Sequence, residues 1–167
     1  EKLKLEVGYR ASVPYVYVKL RGKKMTGELI AQVDEALKSG LVSKDKLDFA
    51  VELLESLKGQ DILFQDQVTG GILGTRLAAL HRLVPEAKIR VEQCFSGQPF
   101  SITTADNCAQ LLRVADNPHV FDITWRNKRR MLKARMELPF KSRIDSERGA
   151  KAATEWALYK LYQWSKE

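Results

Sequence analysis

The sequence is poor in the residues that build metal centres, disulfide frameworks and covalent active sites. Its 167 residues include two cysteines, Cys94 and Cys108, and two histidines, His81 and His119. Two thiols without CxxC spacing and two isolated imidazoles do not make a zinc set, so no metal and no cofactor is expected. The cysteines read as reduced, partly buried thiols of a cytoplasmic protein. No apolar run approaches the roughly eighteen residues of a membrane span. The opening EKLKLEVGYR carries charge without an apolar stretch behind it, unlike a secretory signal. The chain starts at Glu1 rather than Met, as trimming or processing would leave it. There is no GxSxG, HExxH, Walker A or GxGxxG. The glycines of TGGILGT (Gly70, Gly71, Gly74) lack the spacing of a P-loop and the Lys-Ser/Thr after it. His81 lies beside an apolar stripe and reads as structural. Catalysis is the less expected outcome.

What the chain does have is positive charge. The net charge is +7, and ten Lys or Arg between Arg126 and Lys151 face only Glu137, Asp145 and Glu147. Such a concentration favours a polyanionic partner. Within it, VFDITWRNKRRMLKARMELPF alternates twice. Phe121, Ile123 and Trp125 form one apolar set, and Leu132, Ala134, Met136 and Leu138 form another. Asn127–Arg130 turn between them, so the stretch reads as a hairpin with one buried and one wet face. Arg126, Lys128, Arg129, Arg130, Lys133 and Arg135, with Lys141 and Arg143 beyond, give a basic ribbon of a size that enters a major groove. Lys and Arg are also ordinary on the solvated face of an antiparallel sheet.

Other segments follow the same logic. VPYVYVKLRG alternates Val16, Val18 and Leu20 with Tyr15, Tyr17, Lys19 and Arg21. KLKLEV before it suits a strand or an arm equally. Thr26 caps a helix with Leu29, Ile30, Val33, Ala36 and Leu37 on one stripe, closed by Gly40. Ser43 caps a second helix, with Leu47, Ala50, Val51, Leu54 and Leu57, ended by Gly59. Gln60–Gly71 suits a short helix or a buried turn. A helix from Ile72 carries Leu73, Leu77, Leu80 and Val84 to Pro85. Ala87–Phe95 alternates and turns at Ser96–Pro99 into a return strand at Phe100 and Ile102. A helix is expected from Thr103 or Thr104 to Asn117, and a last one from Asp145 or Ser146, whose Trp156 and Trp164 must dock on the body or on a second chain.

The sum is one α+β domain over residues 1–167, an antiparallel sheet of β-hairpins packed against several helices, with sub-parts 13–58 and 60–167. Its wet face would gather Lys88, Arg90, Thr124, Arg126, Lys133 and Arg135. Residues 13–57 resemble ribbon-helix-helix DNA-binding proteins. The resemblance implies a dimer whose paired ribbon reads bases with Tyr15, Tyr17, Lys19 and Arg21, and a phosphate contact at Ser43 and Lys44. Helices alternating with hairpins are also similar to LAGLIDADG-type DNA-binding folds. The acidic helix-end motif of that family is absent at Thr69-Gly70-Gly71, and no site follows from it. The leading expectation is a cytoplasmic, homodimeric DNA-binding regulator or accessory factor, with DNA favoured over RNA and no membrane contact. The alternatives are an RNA- or single-strand-binding module, stacking bases on Tyr15, Tyr17 and Trp125, and a non-catalytic subunit of a larger assembly. A minor alternative is a metal-dependent nuclease using Asp122, Glu137 and Lys141.

Overall fold

A computed structural model of the chain describes residues 6–12, 15–22, 26–37, 48–95, 104–138 and 141–167. The chain divides into two compact units, Glu1–Leu47 and Asp48–Glu167.

In the first unit β1 (Glu6–Ser12) pairs antiparallel with β2 (Tyr15–Arg21), Glu6 opposite Arg21 and Ser12 opposite Tyr15. The helix α1 (Gly27–Leu37) follows. Thr26 caps it as expected, its Oγ1 accepting the Leu29 N–H at 3.3 Å. The strand that a ribbon-helix-helix protein would pair with a second chain has a neighbour, β1, in its own chain. Gly40, Ser43 and Lys44 lie outside the described residues.

The second unit runs α2 (Phe49–Ser56), β3 (Asp61–Asp66), α3 (Ile72–His81), β4 (Lys88–Gln93), β5 (Asn107–Arg113), β6 (Val120–Asn127), β7 (Met131–Glu137) and α4 (Glu147–Lys166). The helix expected from Ser43 begins instead at Phe49, where the Asp48 carboxylate accepts the Ala50 N–H. The five strands lie in the order β4-β3-β5-β6-β7, with β3 parallel to both β4 and β5 and the remaining pairs antiparallel.

The α+β class holds, but a sheet built only of hairpins does not. Two segments account for the difference. Gln60–Gly71, expected as a short helix or turn, contains β3, the sheet's second strand. Its Ile62, Leu63 and Phe64 are buried in succession. A strand covered on both faces reads as an apolar run without alternation. The expected helix at 104–117 is β5, between β3 and β6. NCAQLLR is respectable helical composition, and pairing on both sides overrides it. The return strand expected at Phe100 and Ile102 lies outside the described residues.

The hairpin β6–β7 forms in the expected register, Phe121 opposite Met136 and Trp125 opposite Leu132. Phe121, Ile123 and Trp125 are buried, and so are Leu53, Leu54, Leu73, Leu77 and Leu80 of the helices. The terminal helix docks as its tryptophans require, burying Ala153, Ala157, Leu161 and Trp164. Arg76 of α3 ties three helices together, pairing with Asp48 before α2 at 2.5 Å and with Glu155 of α4 at 2.9 Å.

Candidate anion site at the carboxyl ends of the parallel strands

β3 ends in Asp66, a fully buried carboxylate. One of its oxygens accepts the backbone N–H groups of Val68 and Thr69 at 2.8 and 2.9 Å, and the other accepts the Thr69 hydroxyl at 2.5 Å. Thr69 Oγ1 in turn accepts the N–H of Leu73, in the first turn of α3. Gly70 and Gly71 then reverse the chain with φ of 62° and 94°, a region that favours glycine. The segment read as punctuation is therefore a strand-to-helix turn, locked from within by a buried acid.

The turn sits where the connections part. From β3 the chain passes through α3 to β4 on one side, while the next parallel strand, β5, lies on the other. A divergence of this kind leaves a crevice outside the carboxyl ends of the strands, the usual ligand position in open parallel sheets. Here Gln67 N–H donates to the Leu111 carbonyl at 3.0 Å. Arg113, the last residue of β5, donates from Nε to the Gln67 carbonyl at 2.8 Å. The same guanidinium pairs with Asp145 at 2.5 Å, and Arg143 reaches that carboxylate at 3.2 Å. Two guanidiniums thus share one carboxylate at the rim, next to the turn that the buried Asp66 holds. Hydrogen bonds from Arg113 and then Arg143 hold the Asp145 carboxyl below the usual carboxylate range.

Beneath this rim the sheet carries a polar row. Glu92, Gln65, Gln110, Thr124 and Lys133 occupy matching positions on β4, β3, β5, β6 and β7. Gln65 is fully buried. Its amide donates to Glu92 at 2.8 Å and accepts from the Gln110 amide at 2.9 Å. A buried amide satisfied in this way pins the parallel register that positions the turn.

No activated thiol lies nearby. Burial pushes both Cys94 and Cys108 thiols up, with Glu92 acting in the same direction. Both are free, and Cys108 is buried. In native protein Cys108 should therefore resist iodoacetamide at pH 7.5 and react only on unfolding. Rapid native labelling, followed by peptide mass spectrometry, would contradict this.

Several of the residues expected to contact nucleic acid have partners within the chain. Lys128 pairs with Asp106 at 2.6 Å, and Arg135 grips Asp122 through two hydrogen bonds of 2.8 and 3.0 Å. Arg130 donates to the Trp164 carbonyl at 2.6 Å. Arg129 anchors the turn, its N–H meeting Asn127 Oδ1 at 2.9 Å. Arg126, Lys133 and Lys141 are exposed. Lys88, Arg90, Thr124, Arg126, Lys133 and Arg135 do share one face of the sheet by strand register, interspersed with Asp61, Glu92 and Asp122. Tyr15, Tyr17, Lys19 and Arg21 occupy alternate positions of β2 in the other unit, where Lys19 and Arg21 are exposed. Asp122 is spent on Arg135, and no cluster of three His, Cys, Asp or Glu that could hold a metal occurs among the described residues. No helix among them is long and apolar enough to cross a membrane.

Hydrogen bonds from Lys128 to Asp106, from Arg135 to Asp122 and from Arg113 to Asp145 each lower the carboxyl's proton affinity. Depressed folded-state values mean stability that is fully present above the unfolded carboxyl value of about 3.9 and lost as pH falls through the lower folded values. The unfolding midpoint should fall with acidification in that window, and less steeply in Asp122→Asn. An equally steep fall in the variant would contradict the assignment.

Comparison with known proteins places the architecture. No family model and no curated protein matches the chain. Among solved structures, a competence-damaged protein (CinA) superfamily protein from Klebsiella pneumoniae matches with a TM-score of 0.54 at 13% identity, over 71% of this chain and 96% of that one. A CinA superfamily protein from Enterobacter cloacae matches with a TM-score of 0.53 at 15% identity, over 75% of this chain and 97% of that one. The chain is similar to them in fold. This overturns the expectation of a DNA-binding, transcription-regulating β-ribbon protein. The basic hairpin is the antiparallel flank of a mixed sheet similar to that of CinA superfamily proteins, and much of its charge is paired within the chain.

Sequence reasoning passed over Asp66, Gln67, Thr69, Arg113 and Asp145 as a site. The available signal was an apolar run, a Thr-Gly-Gly turn and a helical stripe in succession.

Proposed function

We propose that this chain is a ligand-binding protein of CinA-superfamily-like fold, taking a small phosphorylated or otherwise anionic molecule at the carboxyl ends of β3 and β5. The observation that carries the reading is the Arg113 junction. One guanidinium holds the carbonyl of the loop leaving β3 and shares Asp145 with Arg143, so two guanidiniums stand together at the divergence of the parallel strands. Guanidinium groups suit phosphate and carboxylate through paired, charge-assisted hydrogen bonds. The amino end of α3 adds a favourable dipole at the same edge of the sheet. Binding, rather than covalent catalysis, fits raised thiol values and a Thr69 hydroxyl already committed to Asp66.

The test is stabilisation by mass action. Nucleoside 5′-monophosphates and sugar phosphates at millimolar concentration should raise the unfolding midpoint, while the unphosphorylated nucleosides and sugars should not. Equal response to both sets, or to neither, would overturn the reading.

A further inference from the structure

Among the described residues β4 is an edge strand of the sheet. The Cys94 N–H donates inward to the Asp66 carbonyl at 2.9 Å, and the Gly59 N–H donates to the Glu86 carbonyl at 3.3 Å. Backbone groups of even-numbered residues along this strand therefore turn toward β3. Those of Ile89, Val91 and Gln93 turn outward. The strand has no proline and no bulge between Lys88 and Gln93, and its charges, Lys88, Arg90 and Glu92, lie on one face, where Arg90 also meets Asp61 and Glu92 meets Gln65. Beside it lies an open groove of about 280 Å³, lined by Gly74, Leu77, Ala78 and His81 of α3 and by Ile89 and Val91 of β4. Val91 is 36% exposed, and Phe95, just past the strand, is 75% exposed.

We infer that the occupant of this edge is a second copy of the chain, its β4 antiparallel to the first with Val91 on the two-fold axis. The charges on the strand select both partner and register. With Val91 opposite Val91, Arg90 of each copy faces Glu92 of the other, twice, and no like charges meet. Shifting the axis to Arg90 sets two guanidiniums against each other, and shifting it to Ile89 sets Lys88 against Arg90 twice. Like charges directly opposite are destabilising and opposite charges stabilising. In the Val91 register the outward N–H and C=O groups of Ile89, Val91 and Gln93 all find partners. Arg90 and Glu92 fall at the non-hydrogen-bonded positions, where facing side chains are closest. The small residues Gly74 and Ala78 leave room for the two α3 helices beside the axis, and each Phe95 comes to lie near the start of the opposing strand. The result is one sheet continuous through two chains, a closed isologous pair.

Sedimentation equilibrium on the full chain tests this. The wild type should be a dimer at about 100 µM, and Val91→Lys, which puts two ammonium groups on the axis, should weaken association about tenfold or more. Arg90→Glu should weaken it likewise, and adding Glu92→Arg should restore it by exchanging the two charges. A monomeric wild type at that concentration, or a dimer unmoved by Val91→Lys, would overturn the proposal. Val91→Lys changes an exposed side chain, so it decides the matter even where a charge variant folds poorly.

Discussion

Gly149→Ala should cost about 3 kcal/mol or more of folding stability, a large effect for one methyl group on the first turn of a helix. A Cβ built at Gly149 would lie 1.8 Å from the Arg143 carbonyl oxygen and 2.5 Å from its carbon. Those are backbone atoms, so rotation of a side chain cannot relieve the contact. The carbonyl is held in place, accepting the Ser146 N–H at 3.0 Å and its hydroxyl at 2.7 Å. Ser146 Oγ meanwhile accepts the Gly149 N–H at 3.0 Å. Ordinarily alanine is the better helix former by about 1 kcal/mol, so a propensity argument predicts stabilisation. The two arguments give opposite signs, and urea unfolding separates them. A gain in stability would mean that the Arg143–Ser146 segment yields freely, and with it the rim that holds Arg143 beside Asp145.

Asp66→Ala should be comparably damaging, by roughly 3 kcal/mol, because it strands three donors at a buried position. The N–H groups of Val68 and Thr69 and the Thr69 hydroxyl all lose their acceptor. Asp66→Asn keeps an acceptor for the two backbone groups and should cost less. The damage should also be local in character. With the Thr69 side chain released from Asp66, the first turn of α3 loses its cap on the Leu73 N–H. Hydrogen exchange at Val68, Thr69 and Leu73 should accelerate more than exchange in the β6–β7 hairpin. Uniform acceleration across both would show that Asp66 supports the fold in general rather than this turn.

These two positions also show where the sequence was legible. The hairpin at Val120–Leu138 was readable because one of its faces is wet, so its apolar residues alternate. β3 offered no alternation, since Leu63 and Gln65 are buried on one face and Ile62 and Phe64 on the other. β5 was masked by residues that suit helices, and only its pairing with β3 and β6 decides its state. The α3 stripe, the Thr26 cap and the Ser146 cap were all visible, because capping and helical spacing are local properties.

The site was less legible for a different reason. Its ion pairs join residues remote in sequence, such as Arg113 with Asp145 and Lys128 with Asp106. Read along the chain, Lys128 and Arg143 belonged to a basic cluster, and Asp106 lay outside it. Folding places acids among the bases and converts an expected polyanion surface into a partly self-neutralised sheet. The cations that matter most are instead the two guanidiniums at the Arg113–Asp145–Arg143 junction.

Calorimetric titration of a nucleoside 5′-monophosphate into the wild type, Arg113→Ala and Lys133→Ala tests the proposed anion site most directly. Lys133 supplies a control cation on the edge strand β7, separated from β5 by β6. The account predicts saturable binding, weakened about tenfold or more by Arg113→Ala and unchanged by Lys133→Ala. No binding by the wild type, or equal loss in both variants, would contradict it.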